Sequence, residues 1–132
     1  AVEGCIYYAD YADILARTRM FIESSERFYE VYLWDDEIAL QKYLDDKKGG
    51  KTLGLTCNEP REALRSKNKI GEIHFASGCW NMNIVAHECL HATFNIMRLL
   101  GLDYAQVENE ERICYFHGEL TQGVYRWLSS QE

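Results

Sequence analysis

One decapeptide, Ile84-Val-Ala-His-Glu-Cys-Leu-His-Ala-Thr93, limits what this chain can fold into more than any other stretch. It carries His87-Glu88-x-x-His91, and side chains four apart on a helix project from one face. Two neutral imidazoles at that spacing can hold one zinc ion, while Glu88, rotated to the side, can take the proton of a water that the metal makes acidic. The apolar residues Val85, Cys89, Ala92, Ile96 and Leu99 recur at helical spacing, roughly opposite the histidines. The pattern predicts a helix that buries one stripe and presents its histidines from the other side. A solvated helix face could carry the same three polar residues. The β-type run Ile70–Ala76 just before the helix and a glutamate at a suitable distance after it favour the metal site.

The rest of the chain suits one domain over residues 1–132. Of its residues 47% are hydrophobic, enough for a real core and against disorder. Twenty-one acidic side chains against 14 Lys and Arg give a net charge of −7, which argues against nucleic acid or an anionic membrane as the main partner. A peptide or protein partner stays open. The five cysteines, Cys5, Cys57, Cys79, Cys89 and Cys114, form no C-x-x-C pair, so neither a disulfide framework nor a cysteine zinc knuckle is expected. Cys89 and Cys114 read as small core residues. With no signal-like or membrane-spanning run, the chain is expected to be soluble and cytoplasmic.

Periodicity predicts the order β-α-β-α-β-(α)-β-α-α, an α+β layout with a small sheet backed by helices. The first strand is placed at Val2–Tyr8. A helix capped by Asp10 follows, through Tyr11, Ile14, Leu15, Thr18, Phe21 and Ile22. Phe28–Trp34 is the second strand, and Asp35 or Asp36 caps a short helix through Ile38, Leu40, Tyr43 and Leu44 that stops at Gly49-Gly50. Lys51–Cys57 is a weaker strand; Asn58–Arg61 is a turn or a helix start; 61–69 is a short helix or an exposed loop. After the strand Ile70–Ala76 and a connector holding Trp80, the central helix runs to Leu100-Gly101. Val107–Trp127 is one last helix or a pair, with Ile113, Phe116, Leu120, Val124 and Trp127 as its stripe.

Two histidines leave zinc one protein ligand short if a position is kept for water. A third histidine at the metzincin spacing is excluded, because Phe94 and Met97 stand where that motif needs glycine and histidine. Glu111 on the last helix is the preferred third ligand, since it lies opposite the apolar stripe; Glu108 is the reserve and Glu110 is expected in solvent. Tyr115, one turn beyond Glu111, is a candidate donor to a developing oxyanion. His74 shares a strand face with Glu72 and Ala76 and is expected at the surface.

His87-Glu-x-x-His91 with a glutamate on the next helix resembles the gluzincin group of zinc metallopeptidases. More narrowly, His87-Glu-Cys-Leu-His-Ala92 followed by Asn109–Tyr115 and Gly118-Glu-Leu120 is similar to short HExxH proteins encoded in phage and prophage genomes, over about the C-terminal third of the chain. The resemblance implies a minimal zincin-like domain: a small mixed sheet, an edge strand beside the active-site helix, and a C-terminal helix bearing the third ligand. Larger gluzincins carry an aspartate four residues after the ligand glutamate; Tyr115 stands there in this chain, so the support of the zinc histidines must differ. Two functions follow as expectations. In the first, a zinc-dependent peptidase uses Glu88 as base and aligns its substrate along Ile70–Ala76. In the alternative, a phage or mobile-element protein on the same scaffold binds and inhibits a host protein without catalysis, as its small size and acidity suggest.

Overall fold

The computed structural model describes residues 13–45, 53–58 and 68–132. The expected strand Val2–Tyr8, the Asp10 cap, the Gly49-Gly50 stop, Cys5 and the segment 59–67 lie outside them. Over the described residues the order is β1 (Ile14–Phe21), β2 (Phe28–Trp34), α1 (Glu37–Asp45), β3 (Gly54–Asn58), β4 (Lys69–Ala76), α2 (Met82–Leu100) and α3 (Val107–Gln131). The class is α+β, with a four-stranded mixed sheet and three helices.

Residues 14–21 form a strand where helical spacing predicts a helix. Ile14, Leu15, Thr18, Phe21 and Ile22 fit a period of 3.6, but Ala16, Thr18 and Met20 also alternate with Arg17 and Arg19, and the second pattern prevails. It prevails because the 22–27 turn folds β1 back onto β2 as an antiparallel hairpin, closed by Ile22 N–H donating to the Arg27 carbonyl at 2.9 Å. Glu23 and Ser24 take left-handed backbone angles in that turn, φ 51° and 57°.

The strand order is β1-β2-β4-β3, with β4 parallel to β2 and antiparallel to β3. Ile70–Ala76 therefore lies inside the sheet with both edges paired, and cannot align a substrate by its main chain. The outer strand on that side of the described sheet is β3. Alternation gives the sheet two different faces. Tyr29, Val31 and Leu33 with Ile73 and Phe75 pack against Val85, Cys89, Ala92 and Ile96 of α2 and Phe116, Leu120, Val124 and Leu128 of α3. Tyr32, Trp34, Leu55 and Ala76 face the other way, against Ala39 and Leu40 of α1. Each large apolar side chain buried in this way contributes about 2 kcal/mol.

Local chemistry sets the helix ends. Asp36 caps α1, its Oδ1 accepting from Ala39 N–H at 2.8 Å. Asn81 does the same for α2 with Ile84 N–H, and Gly101, at φ 67°, closes it as the sequence predicts. The last segment is a single helix. It returns antiparallel to α2 and is pinned at its far end by Glu132, which accepts from Trp80 Nε1–H at 2.7 Å and from Gly78 N–H at 2.8 Å. Trp80 also meets Tyr125 edge-on. It locks the start of α2 to the end of α3. No described helix is long and apolar enough to cross a membrane.

Candidate functional site

The apolar stripe of α2 faces the sheet and α3, which leaves His87 and His91 on the open side. Their ring centroids are 4.9 Å apart and nearly perpendicular, and the His87 side chain is 66% exposed. Glu88 points elsewhere. It is buried against β3, where Thr56 Oγ1 donates to its Oε1 at 2.7 Å and approaches its carbonyl at 2.9 Å. The other carboxylate oxygen, Oε2, lies 3.9 Å from His87 Nε2. One oxygen is thus anchored to the sheet while the second lies on the side of His87. β3 comes this close because residue 54 is glycine: a Cβ there would stand 3.0 Å from Glu88 Cγ and 3.1 Å from Ile84 Cγ2. Neither Thr56 nor Gly54 is legible in the sequence as part of a site, since both arrive from a strand whose partner is fixed only by the sheet. Cys89, inside the motif, is buried, and burial pushes its thiol up to about 12. It is a core residue and not a ligand.

Glu111 does not join this group. It is exposed on α3, as are Glu108, Glu110 and Tyr115. The stripe Phe116–Leu120–Val124, expected to leave Glu111 facing α2, is itself the surface that meets α2 and the sheet. His117, on the stripe side, approaches the Ala86 carbonyl at 3.3 Å. The opposite face of α3 therefore looks into solvent. Cys114 is exposed as well and not a core residue. On α2 two imidazoles share the open face one turn apart, and a carboxylate oxygen lies beside the first of them. The described residues do not complete this set to three protein ligands.

Where donors do converge is on the other face of the sheet. Cys57, Glu72 and His74, all buried, bring one ligand atom each within 4.8 Å of one another, the one such trio among the described residues, and this group could hold a metal ion. His74 is not at the surface as expected; it and Glu72 are 0% exposed. The expectation that it shares a face with Glu72 and Ala76 stands. His74 Nε2 is 3.0 Å from Glu72 Oε1, the Cys57 thiol donates to that same oxygen at 3.9 Å, and Lys69 Nζ pairs with Glu72 Oε2. Trp34 Nε1–H donates to His74 Nδ1 at 3.0 Å. Tyr32 stacks on the imidazole with centroids 4.9 Å apart, and Tyr43 covers it at 5.0 Å.

An indole N–H can only donate, so Nδ1 carries no proton while that bond stands, and the ring proton sits on Nε2, facing Glu72. Burial alone would raise the Glu72 carboxyl, but hydrogen bonds and charge from His74 and Lys69 hold it below the ordinary carboxylate range. Burial alone would lower His74; Cys57 and Glu72 draw it upward instead. The Trp34 bond limits that rise, because a charged ring would turn two N–H groups on each other.

No family model, no curated protein and no solved structure matches this chain. The chemistry of its site rests on its own residues.

Proposed function

We propose that the open face of α2 is the working site of a zinc-dependent hydrolase acting on peptide bonds, in the manner of gluzincins. The observation that carries this reading is the joint placement of His87, His91 and Glu88: two imidazoles on one exposed face one turn apart, and a carboxylate oxygen 3.9 Å from the first of them. Zinc held there would supply Lewis acidity and lower the pKa of water to about 7. With zinc bound, Glu88 Oε2 would be the base that accepts a proton and returns it to the leaving amine, and Thr56 holds Oε1 fixed. The strand beside this face is β3, so an extended substrate would align on β3 and not on Ile70–Ala76. Glu111 would become the third ligand only if α3 turned its outer face inward and gave up the burial of Phe116 and Leu120.

That last point supports the second reading, a non-catalytic binding protein on the same scaffold. The test is metal content followed by turnover. His87→Ala/His91→Ala should lose about one equivalent of zinc relative to the parent chain, and Glu88→Gln should keep that zinc and lose all peptide cleavage. A double variant with undiminished zinc removes the site. Zinc binding with no cleavage of any peptide pool, and equal partner capture by the parent chain and the Glu88→Gln variant, leaves the binding reading.

A further inference from the structure

We propose that Cys57, Glu72 and His74 form a buried site for a thiophilic divalent cation of the zinc class, and that Trp34 biases that site toward its proton-filled form. The donor chemistry is a thiol sulfur, an imidazole nitrogen and a carboxylate oxygen, a set suited to zinc and unsuited to calcium or magnesium. Zinc bonds of about 2.0 Å to nitrogen or oxygen and about 2.3 Å to sulfur put neighbouring ligand atoms of this set roughly 3.3–3.5 Å apart in a tetrahedron. The observed separations, 3.0 Å from His74 Nε2 to Glu72 Oε1 and 3.9 Å from Cys57 Sγ to the same oxygen, bracket that range. The third pair, Cys57 Sγ and the His74 nitrogen, lies within 4.8 Å, and closing of the thiol toward the imidazole would complete the set.

The roles within Glu72 are already divided. Oε2 belongs to Lys69, and Oε1 is the atom that both Cys57 and His74 approach, so Oε1 is the ligating oxygen. A thiolate and a carboxylate balance the two charges of the cation, and the Lys69 ammonium stays paired. Entry of the cation releases one proton, from Cys57 Sγ. It also requires a lone pair on His74 Nε2, so the single proton of the neutral ring moves to Nδ1. There it meets Trp34 Nε1–H, whose hydrogen bond is lost. The indole thus favours protons over metal by the worth of one buried hydrogen bond, and removing it should tighten metal binding about tenfold.

This site is independent of the α2 face: the two lie on opposite sides of the sheet, and only this one offers a buried thiol next to a carboxylate and an imidazole. Cobalt(II) separates them, because a thiolate ligand gives a sulfur-to-cobalt charge-transfer band that histidine and carboxylate ligands do not. The 132-residue chain, stripped by chelator and kept reduced, is titrated with cobalt(II) and its near-ultraviolet absorbance followed. The band should appear in the parent chain and in His87→Ala/His91→Ala, vanish in Cys57→Ser, and saturate at about tenfold lower cobalt in Trp34→Phe. A variant that keeps Cys57 but combines Cys5→Ser, Cys79→Ser, Cys114→Ser and Cys89→Ala should retain it, which guards against misfolding of Cys57→Ser. No band in the parent chain, a band that survives Cys57→Ser, or equal cobalt affinity with Trp34→Phe overturns the proposal.

Discussion

Two histidine clusters sit on opposite faces of one sheet, and consecutive residues of β3 serve them both. Thr56 points toward α2 and anchors Glu88; Cys57 points the other way, toward Glu72 and His74. The α2 cluster is open to water, so its imidazoles need no partners and cost nothing to hydrate. The cluster around His74 has been taken out of water entirely, and each of its polar atoms is held by another. The comparison teaches that the cluster announced by the sequence motif is the loosely built one. The cluster with tight geometry carries no motif at all.

Stability should divide the two clusters most sharply. His74→Leu strands the Trp34 N–H and removes a partner from buried Glu72, and should cost about 3 kcal/mol in urea unfolding. His87→Ala removes an exposed ring and should change stability by less than about 0.5 kcal/mol. Equal costs would erase the contrast. Two glycines of the sheet extend the scale. A Cβ on Gly71 would lie 2.2 Å from the Cys57 carbonyl oxygen, a backbone atom that cannot step aside, so Gly71→Ala should cost about 3 kcal/mol or more. Gly54→Ala meets the flexible Glu88 side chain and should cost about 1 kcal/mol, while displacing that carboxylate from the histidines.

Of similar size is Thr56→Val, which deletes the anchor of Glu88 and should cost about 1 kcal/mol in thermal unfolding, with Thr56→Ser sparing most of it. The smallest effect concerns pH. The Ser77 hydroxyl, the Gly78 N–H and the Trp80 indole hold the Glu132 carboxyl below its ordinary range. A depressed carboxyl stabilises the fold above its unfolded pKa, and that contribution is lost as the pH falls through its folded value. Glu132→Gln should therefore lower neutral stability slightly and flatten the acid limb, the two proteins converging once the pH falls below the ordinary carboxylate range. A steeper acid limb in the variant would contradict the assignment.

Much of this is legible where the signal is local. β2 has the bounds its aromatic run implies, α1 starts at the expected aspartate pair, and the stripe Val85–Cys89–Ala92–Ile96 is the buried side of α2. Residues 14–21 fit two periods, and only pairing with β2 chooses the strand over the expected helix. The burial of His74 escapes the sequence because a lone strand histidine says nothing of its cover. Trp34, Tyr32 and Tyr43 arrive from elements 31 or more residues away in sequence.

By itself, then, the sequence determined α2: its buried stripe, its stop at Gly101, and the placing of His87 and His91 one turn apart on a single face, all consequences of spacings within a few residues. Tertiary structure alone decided that β4 lies inside the sheet, that β3 borders α2, that α3 turns Glu111 to solvent, and that Cys57, Glu72 and His74 meet away from water. Those outcomes depend on non-local strand pairing and on how much water each face loses, quantities that no short window of residues contains.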